Sequence, residues 1–427
     1  MNTTESPAHQ SPAPAAPIGE RALLLTLAGI QFTYIVDFMV MMPLGPQFTR
    51  LFGISDAQFG WLVSAYTLAA GVSGLLASAF VDRFERKRLL LWLYFAFALA
   101  TLGCGLAPTY AMLMTARIAA GLFGGVMGAL VQTIVGDAIP FERRGRAMGL
   151  IMASFSLATV AGVPGSLWVA DLFGWHATFI VIAIASLVIV AVGLRTLPRL
   201  DGHLQGRSAN FRAAIADVLH EPNHWRAFAF TAISMAAGFT VIPYLTIFLT
   251  ANAGVTPSQI PLIYLAGGAA TFFSARLIGA AADRWGKVRT FRVVAAAAML
   301  PVVVTTHLAH APLWLVLVAT TLFFVFVSGR MVPATALLTS ATEPRLRGTF
   351  MTLNGSVQSA ALGLAALLGG MLIGRNADGL VVGYERTGWV MVALSLASLW
   401  LVGRLRLYSP STVAGSRSSA QVQPEAG

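Results

Sequence analysis

Gly279-Ala280-Ala281-Ala282-Asp283-Arg284-Trp285-Gly286-Lys287-Val288-Arg289 is a run of small residues that ends in a charged turn, with long apolar stretches on either side. Ser78-Ala79-Phe80-Val81-Asp82-Arg83-Phe84-Glu85-Arg86-Lys87-Arg88 has the same shape, and its Asp82-Arg83 precedes Asp283-Arg284 by 201 residues. Arg144-Gly145 and Arg347-Gly348 match at 203. Independent matches at almost one spacing mark an internal repeat, so the chain is built as two halves of one design.

The flanks of these turns set the solvent. Stretches 57–81, 89–116, 118–136, 147–170 and 349–374 contain no Asp, Glu, Lys or Arg. Two longer apolar runs break at turn-like segments, 227–275 at Ala251–Pro257 and 293–329 at His307–Pro312. A bilayer-crossing helix needs about 20 mostly apolar residues, because all its backbone polar groups must be satisfied internally. Twelve spans result: 20–46, 57–80, 88–107, 109–136, 146–171, 175–197, 226–251, 258–281, 289–309, 312–339, 348–373 and 384–407. Composition agrees, with 57% apolar and 11% charged residues in 427, against about a quarter charged in soluble domains.

Placing both termini in the cytoplasm puts 22 Lys and Arg in loops on that side and leaves Arg50, Arg375 and Arg386 on the other. That asymmetry fixes orientation, since basic residues flanking spans resist translocation. The net charge of +11 is therefore a topology signal and does not indicate a nucleic-acid partner. Residues 1–19 read as a disordered lead-in without the basic start of a signal peptide. Two six-span bundles, 20–197 and 226–407, are joined by a cytoplasmic linker, 198–225, with an amphipathic helix around 210–220, and a tail follows at 408–427. The single cysteine, Cys104, excludes an internal disulfide. The histidines lack the company a metal needs, and no Gly-Lys-Ser/Thr phosphate loop occurs, so no metal or nucleotide cofactor is expected.

The two quoted turns resemble the G-x-x-x-D-R-x-G-R/K loop signature of the major facilitator superfamily, the first departing from it at Ser78 and Glu85. Arg117-Ile118-Ala119-Ala120-Gly121 is similar to the arginine motif of its proton-coupled branches. The resemblance implies an all-α membrane fold of two pseudo-symmetric six-helix bundles, in which spans 1, 4, 7 and 10 line a central cavity. It also implies a gate at the loop signature: Asp82 would meet the positive N-terminal end of span 11 near Gly348, and Asp283 that of span 5 near Arg146, with Arg83 and Arg284 beside them. Ala161-Gly162-Val163-Pro164-Gly165-Ser166 resembles the Gly- and Pro-rich stretch of antiporters, although Val163 intervenes, and makes Pro164 a candidate bending point in the gate.

Four ionisable residues fall inside spans: Asp37, Arg117, Arg276 and Arg330. Each costs about 2.5–3.5 kcal/mol at a helix centre, so such groups pair or line water-filled spaces. Asp37 on span 1 is similar in place to the acid of drug/proton antiporters. Burial opposes ionisation of a carboxylate and a nearby guanidinium favours it, so Asp37 is read as the proton carrier and Arg117 as its tuner. Arg276, seven residues and about 10 Å before Asp283, is placed with the gate. Arg330, Tyr34, Tyr244, Asn354 and Gln358 are candidates for substrate contact. A cavity with two arginines and one aspartate favours anionic, zwitterionic or neutral solutes over organic cations.

The expected function is secondary export of a small organic or drug-like solute against proton entry, by a monomer in the inner membrane, with the proton gradient as energy source. Proton-linked uptake on the same fold is the first alternative. A membrane sensor without transport is the second. Nothing in the sequence suggests an enzyme.

Overall fold

The computed structural model describes residues 18–201, 211–343 and 345–408, leaving aside the side chains of 18, 78–80, 82, 141, 142, 211 and 212. The two tails and part of the linker expected to be irregular therefore lie largely outside the described residues. Among the described residues eleven helices are long and apolar enough to cross a membrane. They are Gly19–Val40 (span 1), Asp56–Ala77 (span 2), Arg86–Gly105 (span 3), Tyr110–Ala138 (span 4), Arg143–Phe173 (span 5) and Trp175–Thr196 (span 6) in the first half. Pro222–Asn252 (span 7), Pro257–Trp285 (span 8), Lys287–Thr306 (span 9), Leu313–Ser340 (span 10) and Arg347–Leu372 (span 11) follow. Tyr384–Val402 (span 12) is a 19-residue helix that opens on Glu385 and Arg386, which makes it less apolar than the rest. Span 7 starts at Pro222, earlier than the sequence suggests, because Glu221 caps it through the Asn223 amide and proline suits a first turn. The amphipathic linker helix is Phe211–His220.

Three spans are interrupted where proline removes a backbone donor. Span 5 passes through a π-turn, Ala158–Gly162, just before Pro164, whose missing N–H leaves the Val160 carbonyl without its usual partner. Span 7 breaks around Ile242-Pro243-Tyr244. Span 10 divides at Arg330, between Leu313–Gly329 and Met331–Ser340, three residues ahead of Pro333.

The repeated loop is built differently in its two copies. Gly286 precedes span 9 with φ +88°, a backbone conformation that side chains rarely adopt. Glu85, at the matching place before span 3, stays extended and uses its carboxylate as cap, accepting the amides of Lys87, Arg88 and Leu200. The departure from the family signature is thus a different solution to the same turn, and it also ties the linker to the bundle. Burial opposes ionisation of Glu85, but the Leu200, Arg88 and Lys87 amides outweigh it and hold its pKa below the usual carboxylate value. Its contribution to stability is therefore complete above the ordinary carboxyl range and is lost as pH falls through the lowered value. Glu85→Ala should cost about 1 kcal/mol of stability, as loss of a cap does. Thermal unfolding against pH should show the variant losing less on acidification than the wild type; identical acid limbs would remove the capping role.

Packing divides the molecule unequally along the membrane normal. At the end bearing Arg50, Arg375 and Arg386, the far end, both halves share one apolar core that includes Val40, Phe48, Phe59 and Trp175 together with Val241, Tyr244, Phe248 and Tyr384. At the opposite, basic end there are two cores: one is made only of the first half, including Leu27, Tyr94 and Ile134, the other only of the second, including Phe230, Phe291 and Phe350. The halves are fused at one end and parted at the other. No hydrogen bond or ion pair joins two described residues of opposite halves at the basic end.

Candidate transport site

Span 4 lies directly on span 2 because Gly121 and Gly125 have no side chain: a Cβ at either would come within 2.3 Å of the carbonyl of Tyr66 or Ala70. This approach, of the kind a Gly-x-x-x-Gly spacing permits, brings the Tyr66 ring over Arg117, whose guanidinium carbon is 4.2 Å from the ring centroid. Arg117 Nη1 donates to Asp37 Oδ2 at 2.9 Å, and the pair is sealed, with 1% and 0% of the two side chains exposed. Thr101 on span 3 donates to the other carboxylate oxygen at 3.2 Å. Arg117 Nε has no partner. Asp37 and Arg117 therefore meet, which spacing over 80 residues could not reveal, and three spans of the first half converge on one carboxylate.

Around this pair is a set of aromatic rings. Phe38 stacks on Tyr66 at 5.5 Å and on Phe239 of the second half at 5.9 Å, and Tyr34 lies 6.5 Å from Tyr66 and 6.1 Å from Phe97. Tyr34, Phe38 and Phe239 are only half-buried, so they border the space between the halves just where the shared core ends. The sequence reading included Tyr34 but not Thr101, Phe38, Tyr66 or Phe239. Their only signal was periodicity: Tyr34 and Phe38 are one turn apart, Phe38 is the neighbour of Asp37, and Phe239 lies at the end of the first helix of span 7.

The other proposed substrate contacts are placed differently. Arg330 is 1% exposed and turned inside the second half, where Nη2 donates to the Ser234 carbonyl at 2.9 Å and Nη1 to Ser395 Oγ at 3.3 Å. Tyr244 is fully buried at the far-end closure, donating to the Ala366 carbonyl and meeting Phe59 of the first half edge-on at 6.3 Å. Asn354 accepts from Thr231 at 2.6 Å, joining spans 11 and 7. Gln358, one turn on, is half-buried and makes no hydrogen bond among the described residues. In this conformation only Tyr34 and Gln358 of these five are accessible.

At the basic end the loop-signature residues make no latch among the described residues. Asp283 and Arg284 are exposed without an ion pair among the described residues, Arg83 is exposed, and the Asp82 side chain lies outside the described residues. Arg276 is exposed on span 8, over the Phe272 ring at 4.6 Å, and does not reach Asp283. Pro164 is buried just past the π-turn, where Gly268 of span 8 faces the Thr159 carbonyl of span 5. The latch that is made sits at the far end. Arg375 donates from Nε and Nη2 to the two oxygens of Asp56 at 3.1 and 3.0 Å, pinning the short hairpin after span 11 to the start of span 2. Asp56 is buried and its partner lies 319 residues away, so in sequence each looks like an ordinary loop charge.

Two helical halves fused at one end, parted at the other and holding a sealed ion pair beside their divide form the scaffold of a secondary transporter. The Major Facilitator Superfamily model matches residues 27–303 and 227–425, and the chain belongs to that superfamily. It is a multi-pass membrane transporter. An uncharacterized MFS-type transporter of Bacillus subtilis (strain 168), YceJ, is 22% identical over 390 residues, covering 91% of this chain and 96% of its own. A chloramphenicol resistance protein of Streptomyces lividans is 28% identical over 332 residues, 75% of this chain and 82% of its own. The crystal structure of a D-xylose-proton symporter superposes with a TM-score of 0.73 at 16% identity, over 90% of this chain and 97% of that one, a likeness of fold.

Proposed function

We propose that this transporter exports a small organic solute from the side bearing both termini, in exchange for protons, with Asp37 as the proton carrier. The observation that carries this reading is the Asp37–Arg117 pair: an acid sealed inside the membrane, held by a single arginine and one hydroxyl, next to the surface where the halves part. A buried carboxylate so placed has two stable forms, ionised and paired or protonated and released. The parted basic end with an ionised, paired Asp37 corresponds to the stage after proton release, when solute enters. The resistance protein among the relatives supports the outward direction.

With both termini in the cytoplasm of a cell whose inner membrane holds the protein as a monomer, one inward proton contributes about 2.3 kcal/mol per 100 mV. That is about a 50-fold gradient of a neutral solute. The half-buried rings of Tyr34, Phe38 and Phe239 favour an apolar or aromatic body, and Arg117 disfavours an organic cation whenever Asp37 is protonated. Thermal-shift screening of the purified protein against acids, sugars, nucleosides and aromatic compounds identifies a ligand, since a ligand stabilises what it binds. Flux of that ligand in proteoliposomes under an imposed pH gradient then decides the coupling. Solute moving against the proton flow is the expected result. Movement with the protons would make the protein an importer, and flux indifferent to the gradient would remove proton coupling.

A further inference from the structure

The transport reading uses neither Arg330 nor Arg276, and of the four intramembrane charges Arg276 alone is exposed, the other three being buried. Phe273, Arg276, Leu277 and Ala280 recur at helical spacing on one exposed face of span 8, with Phe273 and Leu277 64% and 72% exposed. An apolar face of that kind turns toward lipid. Arg276 lies nine residues, about 13 Å, from the basic end of the span at Trp285. It has no acidic partner among the described residues; its contact is the Phe272 ring.

The neighbouring span has drawn away. Spans 5 and 8 touch through Ala158–Phe173, whereas the Phe141–Leu157 segment of span 5 makes no comparable contact with span 8. Spans 2 and 11, on the other side of the molecule, stay in contact along most of their length, from Asp56–Arg375 past Ser64–Gly363 to Gly74–Ser356. The parting at the basic end is therefore lopsided, and it leaves a cleft between spans 5 and 8 that faces the bilayer. Met152 and Phe155, 49% and 48% exposed, lie on the span 5 side of it, Met152 two turns before Thr159, which meets Gly268.

We propose that this cleft binds an anionic phospholipid from the leaflet at the basic end, with the headgroup phosphate on Arg276 and the acyl chains against Phe273, Met152 and Phe155. An arginine facing lipid alone is costly, and an anionic headgroup drawn a short way into the leaflet removes that cost while its chains cover the exposed apolar surface. The lipid acts as a wedge that holds the halves parted. The inference rests on the membrane placement alone, and its test does not require transport, so it stands or falls separately from the export reading.

Native mass spectrometry of the full-length protein, released from micelles containing equal phosphatidylglycerol and phosphatidylcholine, counts the retained lipid. The wild type should keep phosphatidylglycerol over phosphatidylcholine by about fivefold, the weight of one basic side chain near a membrane surface. Arg276→Gln should bring the ratio to parity, and Arg276→Lys should keep most of it. Where Arg276→Gln fails to fold, Met152→Glu sets a carboxylate across the same cleft and should lower the ratio by repulsion. An unchanged preference in Arg276→Gln or Met152→Glu overturns the site. Displacement of the lipid by inorganic phosphate also overturns it, assigning Arg276 to a soluble anion.

Discussion

Asp37→Asn should abolish proton-driven transport and also destabilise the protein by about 3–5 kcal/mol, because it strands Arg117 as an unpaired buried charge. The two effects separate in a second variant. Asp37→Asn combined with Arg117→Met removes both charges, and replacing a buried pair by apolar or neutral groups of similar size is often nearly neutral for folding. The double variant is expected to unfold close to the wild-type temperature yet show no response of solute flux to a pH gradient. If it recovers coupling along with stability, the pair is structural and the proton travels elsewhere.

The second large effect concerns the closed far end. Arg375→Asp, at an exposed position, sets a second carboxylate against the buried Asp56, and like charges juxtaposed at an interface are unfavourable. The shared core must then be held by apolar packing alone, and the population should move toward a state open at the far end. Cysteine accessibility at Thr250 and Gln47, which line a cavity of about 600 Å³ at that surface with Arg375, should rise by tenfold or more. Exchanging the charges, Asp56→Arg with Arg375→Asp, should return it toward the wild-type value. Equal accessibility in all three proteins would show that Asp56 and Arg375 do not hold the gate.

Much of the architecture is legible because the bilayer imposes a coarse code. Charge-free runs of spanning length, the placement of basic loops and the repeat at about 200 residues need no knowledge of packing. Irregularities within spans are only half visible: Pro164, Pro243 and Pro333 mark where backbone donors are missing, but not that span 5 answers with a π-turn or that span 10 divides at Arg330. At the site, Asp37 and Arg117 stand out because charge inside a span is rare. What the sequence hides is direction. Arg330 also sits deep on a cavity-forming span, yet its guanidinium turns toward Ser234 and Ser395 inside its own half. Asp56 and Arg375 are hidden for the opposite reason, since loop charges are common and a pairing across 319 residues has no local signature. The latch expected at the basic end is not made by the described residues, and the one observed lies at the far end, between Asp56 and Arg375.

The central claim is that protonation of Asp37 decides which end of the molecule is parted. Spin labels on Ala153 of span 5 and Ala280 of span 8, both exposed and on facing halves, report the opening of the basic end as a distance distribution in lipid nanodiscs. In the wild type that distribution should shift between long and short distances as pH is lowered, and in the Asp37→Asn, Arg117→Met double variant it should stay the same at every pH. A pH-driven shift that persists without Asp37 would contradict the account, and so would a wild-type distribution that ignores pH.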